Sequence, residues 1–185
     1  MIKKKLNLGS GKEEREGGPE SPILSMEEWV YVDANPDFKD ALHYDVCNLP
    51  ADWSNTFEEI RASHVIEHLR EAEVHVFLEE CRRVLVTGGH INIYCPDFRK
   101  IASAFANGKM SVEDYTILTF GGTDTFLNMH KTAFDRARLE NVVTQHGFRI
   151  IGREPRPNIV RNFWTETALY IHGYMYDLGV QAIKL

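Results

Sequence analysis

Short apolar runs broken by glycine, proline and acidic turns recur along the chain, and they predict strands alternating with helices. Lys5-Leu6-Asn7-Leu8 predicts a first strand that stops at Gly9-Ser10-Gly11, and Trp29 to Asp33 a second that ends on a carboxylate. Leu42 to Asp45 predicts a shorter third strand, and Phe57 to Ser63 a fourth. Between Glu71 and Leu85 the apolar residues Val74, Phe77, Leu78, Cys81, Val84 and Leu85 fall at helical spacing, with Thr87-Gly88-Gly89 as the stop. His90 to Cys95 predicts a fifth strand closed by Pro96-Asp97.

Beyond that strand, Ile101–Ala106 and Val112–Leu118 predict two helical stretches before Gly121-Gly122. Asp135 is placed to cap a helix through Leu139, Val142 and Val143 to His146, which Gly147 terminates. Phe148 to Arg153 predicts a sixth strand, and Gly179 to Leu185 closes the chain as another. Lys12 to Glu28 is too polar and too rich in glycine and proline for a firm helix. The alternation predicts one α/β domain over residues 1–185 with a mainly parallel sheet.

Composition narrows the classes of function. The formal net charge is −6 and the basic residues form no stripe, so nucleic acid is not expected as a partner. No apolar run approaches the ~20 residues of a membrane span, and the charged N-terminus has no apolar stretch behind it. A cytoplasmic protein without a membrane partner is the expectation. Cys47, Cys81 and Cys95 are widely spaced and odd in number, which predicts reduced thiols.

The first candidate site is the glycine turn after the first strand together with Asp33. Glycines there let a backbone approach a ligand closely, and a carboxylate ending the second strand can accept both hydroxyls of a ribose. Glu14 stands where the third glycine of a dinucleotide fingerprint belongs, which disfavours a nicotinamide or flavin dinucleotide. Asp45, in Asp45-Val46-Cys47-Asn48-Leu49-Pro50, can read the edge of an adenine beside a free backbone N–H, or can simply make a turn.

The ordered series Leu-Asn-Leu-Gly-Ser-Gly, Val-Asp-Ala-Asn-Pro, Asp-Val-Cys-Asn-Leu-Pro, Ala-Ser-His-Val-Ile-Glu-His-Leu, Arg-Arg-Val-Leu-Val-Thr-Gly-Gly and Ile-Asn-Ile-Tyr-Cys-Pro-Asp resembles the class I S-adenosylmethionine-dependent methyltransferases of the compact type-11 kind. His130-Lys131-Thr132-Ala133-Phe134-Asp135 and His146-Gly147-Phe148 resemble that family's approach to its last helix and sixth strand. The resemblance implies a Rossmann-like sheet of the seven-strand methyltransferase type with trimmed helices. Residues 98–129 would be a helical lid or acceptor wall inserted after the fifth strand.

It further implies that Gly9, Ser10 and Gly11 line the methionine and ribose of S-adenosylmethionine, and that Asp33 holds the ribose hydroxyls with Ala34 against the adenine. Asp45 would take the adenine amino group, the Val46 N–H a ring nitrogen, and Ser63 and His64 would border the methyl group. His64 and His130 are the candidate bases on opposite rims. The expected reaction moves a methyl group to an O, N or C nucleophile of a small molecule or glycan. The alternatives are a non-catalytic cofactor-binding domain within a complex, which Asn7 in place of the family's usual acidic residue favours, and an NAD-dependent enzyme.

His64-Val65-Ile66-Glu67-His68 also matches the inverted zinc-peptidase pattern H-x-x-E-H. That chemistry needs both histidines on one helix face, whereas His64 follows directly on a strand, so no metal is expected. The aromatic segment Phe163 to Tyr176 reads as core, as a homodimer surface, or as an acceptor pocket.

Overall fold

The computed structural model describes residues 5–11, 27–122, 125–153 and 176–185. Its elements are β1 (Lys5–Leu8), β2 (Trp29–Val32), β3 (Phe57–Ser63), α1 (Glu71–Val84), β4 (Leu85–Pro96), α2 (Phe98–Ala106), α3 (Val112–Phe120), α4 (Arg136–Gln145), β5 (Phe148–Gly152) and β6 (Asp177–Lys184). They build one six-stranded sheet in the order β2-β1-β3-β4-β6-β5. The first four strands of that order run parallel, and β6 is antiparallel to both β4 and β5. Among the described residues no helix is long and apolar enough to cross a membrane.

Register explains why the sheet buries one face so thoroughly. Leu6, Ile60, Ile91 and Ala182 stand side by side across four strands, and Leu8, Ala62, Ile93 and Val180 form the next row. All eight are buried. The apolar stripe of α1 (Val74, Phe77, Leu78, Cys81, Val84) and that of α4 (Leu139, Val142, Val143) pack on these rows in one core. Because side chains alternate along a strand, the other face carries the row Asn7, Arg61, Asn92 and Gln181 in the same registers. Arg61 is buried there over the Tyr94 ring, and Asn92 donates to Glu59.

The helix ends follow their local chemistry. Asp97, Ser111 and Asp135 cap α2, α3 and α4, their side chains accepting the N–H of Lys100, Asp114 and Arg138. The glycines expected to stop α1 do something else. The chain turns extended at Leu85, and Gly88 and Gly89 sit within β4, where the pairing slips between Phe57–Leu85 and Glu59–His90. Gly88 is left-handed at φ 78°, and a Cβ on Gly89 would lie 2.9 Å from the Val86 carbonyl oxygen. They shape a bulge, not a cap.

Two further expectations are corrected. The third strand at Leu42 to Asp45 contracts to a single parallel bridge, Val32 to Leu42, and the sheet has six strands among the described residues. Only Leu42 completes the ladder, through Leu42 N–H to Tyr31 O and Asp33 N–H to Leu42 O. After it the chain turns away at Asp45. The last strand begins at Asp177, two residues before Gly179, and this puts Asp177 opposite Pro96. Helices α2 and α3 do follow β4 and pack through Ile101, Ala104, Met110, Leu118 and Tyr176. The polar stretch 12–26, with Glu14, and the aromatic stretch from Phe163 to residue 175 lie outside the described residues.

Candidate functional site

The parallel strands β1, β2 and β3 end together, and the turns at those ends form the candidate site, as is general for open α/β sheets. Gly9 and Gly11 are both left-handed, at φ 63° and 55°, which explains two glycines around one serine. A Cβ on Gly9 would lie 2.4 Å from Val65 Cγ2, whereas one on Gly11 would meet nothing within 4 Å. The turn is thus pressed on the β3 side and open on the other. Ser10 N–H donates to Val32 O at 3.2 Å, tying the turn to the end of β2.

Asp33 is the centre of this arrangement. Gly11 N–H donates to its Oδ2 at 2.8 Å and Asn35 N–H to its Oδ1 at 2.9 Å. Its carboxylate is therefore fixed in one rotamer, each oxygen keeping lone-pair capacity. Ala34 lies exposed beside it. His43 Nδ1 is 3.1 Å from the Asp33 carbonyl oxygen, so the chain toward Asp45 runs along the same edge. Asp45 Oδ1 accepts the Cys47 N–H at 2.9 Å in a local turn; Asp45 is exposed and Val46 half-buried. Burial, then the charge of Asp45, pushes the Cys47 thiol up to about 12, and burial raises Cys81 and Cys95 as well. All three are free thiols, and a raised pKa disfavours the thiolate, the nucleophilic form.

Ser63 ends β3 one step beyond the Leu8–Ala62 pair. The buried hydroxyls of Ser10 and Ser63 have no hydrogen-bond partner among the described residues. Buried polar atoms are normally satisfied, so two orphaned hydroxyls at the strand ends fit a polar ligand there. The sequence-predicted Gly9, Ser10, Gly11, Asp33 and Ser63 are thus brought onto adjacent strand ends.

His64, expected from sequence at the rim of the methyl site, is held between two acidic side chains. It adopts φ 55°, and this left-handed step turns its ring between two carboxylates. Nδ1 lies 2.9 Å from Glu67 Oε1 and Nε2 3.1 Å from Asp177 Oδ2. Burial disfavours the charged ring, but Asp177 and then Glu67 outweigh it and raise its pKa to about 10. Burial likewise opposes ionisation of Glu67, yet the hydrogen bond and charge of His64 bring that carboxyl down to about 2. Both ring nitrogens of His64 are thus engaged by carboxylate oxygens.

His130 stands on the other side of Glu67. The main chain that carries it is docked by Lys131 N–H and Thr132 N–H, which both donate to Glu67 O. Thr132 Oγ1 adds a bond to Leu69 O at 2.7 Å. Burial lowers the His130 pKa, with the Glu67 charge opposing it. Within H-x-x-E-H the two histidines diverge: His68 Nδ1 faces the Met129 carbonyl at 3.1 Å while His64 faces Asp177. Glu67, His68 and Asp177 were missed as site residues from sequence. The dense H-x-x-E-H pattern was the one signal available for the first two.

No family model matches the chain, and no curated protein sequence does. Solved structures do. The 1,6-didemethyltoxoflavin N1-methyltransferase of Burkholderia thailandensis, solved with 1,6-didemethyltoxoflavin and S-adenosylhomocysteine bound, is 13% identical, with 97% of this chain and 70% of that one aligned at a TM-score of 0.60. A SAM-dependent methyltransferase of Methanosarcina mazei is 16% identical over 98% of this chain and 92% of its own, at 0.65. One from Archaeoglobus fulgidus is 16% identical over 99% and 86%, at 0.59. The fold is that of the class I S-adenosylmethionine-dependent methyltransferases.

Proposed function

We propose that this chain binds S-adenosylmethionine across the ends of β1, β2 and β3 and transfers its methyl group to a small-molecule or glycan nucleophile. The observation that carries this reading is the Asp33 carboxylate, oriented by the Gly11 and Asn35 amides beside a left-handed glycine turn. Asp33 would hold the ribose hydroxyls, and the Gly9–Gly11 turn would pass along the ribose and methionine. Ala34 would pack on the adenine, with Asp45 and the Val46 N–H at its edge and Ser63 near the methyl group. The cofactor supplies an activated methyl on a sulfonium.

The protein's own task is to hold an acceptor nucleophile in line with that methyl and to exclude water. His64 serves as a positioning residue that fixes Glu67 and Asp177 below the site. Helices α2 and α3 would wall the acceptor side. A non-catalytic cofactor-binding domain within a complex is the second reading, favoured by the loss of the third strand to one bridge.

Turnover separates the two readings. We expect that the full chain, given S-adenosylmethionine carrying a ¹³C methyl and panels of hydroxylated and amino-bearing small molecules and glycans, forms S-adenosylhomocysteine and a new methyl resonance in equal amounts. Tight cofactor binding without turnover on any panel would favour the non-catalytic domain.

A further inference from the structure

We propose that Glu67, His68 and His130 bind a divalent transition-metal ion of the zinc type, at the junction between the turn after β3 and the segment returning from α3. One ligand atom from each of the three lies within 4.8 Å of the others, a spacing that a single ion could bridge. Two imidazoles and a carboxylate are a common zinc donor set with a fourth position open. This reverses the expectation of no metal drawn from the sequence. There the test was whether His64 joins His68; here the second histidine comes from 62 residues further along the chain.

Three independent features prepare the ligands. Glu67 is 2% exposed, its Oε1 is taken by His64, and its Oε2 has no hydrogen-bond partner among the described residues. A buried carboxylate oxygen left bare is costly unless a cation or proton meets it. His68 faces the Met129 carbonyl through Nδ1, so that nitrogen carries the proton and Nε2 keeps its lone pair. Ligating histidines are typically oriented in this way by a carbonyl or carboxylate on the other nitrogen. The His130 main chain is fixed by its N–H donating to Phe120 O at 2.9 Å, and its ring lies 5.0 Å from that of His68, edge to face.

Beside them, Glu67, Thr119, His130 and Thr132 help line a cavity of about 10 Å³, into which no more than one water or ion fits. The Thr119 hydroxyl is also buried without a partner among the described residues. Gly121 makes the approach possible: a Cβ there would lie 2.2 Å from the Asn128 carbonyl oxygen and 2.7 Å from His130 Cδ2. An ion here would pin the segment that carries α2 and α3 to the core. It would also engage His130 as a ligand, leaving alignment as the main contribution of the protein to methyl transfer.

The experiment uses the full chain, stripped with a chelator and titrated calorimetrically with Zn²⁺, then with Co²⁺ to read the coordination sphere by visible absorption. We expect one Zn²⁺ per chain and a tetrahedral Co²⁺ spectrum. His68→Ala with His130→Ala should weaken binding by more than the ~10–100-fold that losing a supporting hydrogen bond costs. His75→Ala with His146→Ala, which removes the other close histidine pair, should leave it unchanged. Absence of stoichiometric binding to the wild-type chain would overturn the proposal and leave a buried water in the cavity. Binding that survives loss of His68 and His130, or that depends on His75 and His146, would overturn it equally.

Discussion

Asp33→Ala is expected to weaken S-adenosylhomocysteine binding by ~100–1000-fold while the chain stays folded. A ribose diol on this carboxylate makes two hydrogen bonds to a charged group, each worth ~1.5–3 kcal/mol. Solvent reaches the half-buried side chain, so we take the sum at ~3–4 kcal/mol, and each 1.4 kcal/mol is about tenfold. The loss also frees the Gly11 and Asn35 amides that orient the carboxylate, adding disorder to the turn. Asp33→Asn keeps the shape and one acceptor oxygen and should cost less. Calorimetric titration of both variants decides it. Equal affinities in Asp33→Ala and the wild type would mean that the ligand does not lie across β1 and β2.

The second large effect concerns stability. His64→Ala removes the cation between Glu67 and Asp177, whose side chains are only 2% and 8% exposed. Breaking a buried ion pair by deleting one partner costs ~3–5 kcal/mol; the His64 ring is itself 27% exposed, which places the expectation near ~3 kcal/mol. Urea unfolding of the chelator-treated chain should show this as a lower midpoint at unchanged slope. Adding Asp177→Asn to the variant should recover part of the loss, because one stranded carboxylate is then neutral. A loss below about 1 kcal/mol would show that solvent already screens the three charges.

These cases show what the sequence made legible. Helix α1 was readable because Val74, Phe77, Leu78, Cys81 and Val84 share one face at helical spacing, and burial confirms all five. The glycine turn and the strand-ending Asp33 were readable as local features, each with its own reason to exist, and the structure places them in contact. The third strand misled because Leu42 to Asp45 has strand-like residues but finds pairing only at Leu42, and pairing is a tertiary fact. Gly88 and Gly89 misled for a related reason: glycine marks a bulge as well as a helix stop.

The His64 clamp lay beyond local reading. Asp177 stands 113 residues away, and it arrives only because β6 runs antiparallel to β4, so that the start of one meets the end of the other. The same holds for His130 and Glu67, which the bridge between Gly121 and Met129 helps to bring together. A histidine flanked by carboxylates and one beside other histidines look alike in a string of residues, yet the carboxylates raise the pKa of the first while burial lowers that of the second.

The most direct measurement is a side-by-side titration of the full chain with S-adenosylhomocysteine and with NAD, followed by calorimetry and thermal unfolding. We expect S-adenosylhomocysteine to bind one to one. At about 100 times its Kd it should stabilise the native state by ~2.7 kcal/mol, a rise in Tm of roughly 5–10 °C for a chain of this size. NAD should do neither. Stabilisation by NAD without S-adenosylhomocysteine, or by neither ligand, would contradict the S-adenosylmethionine site at the ends of β1, β2 and β3.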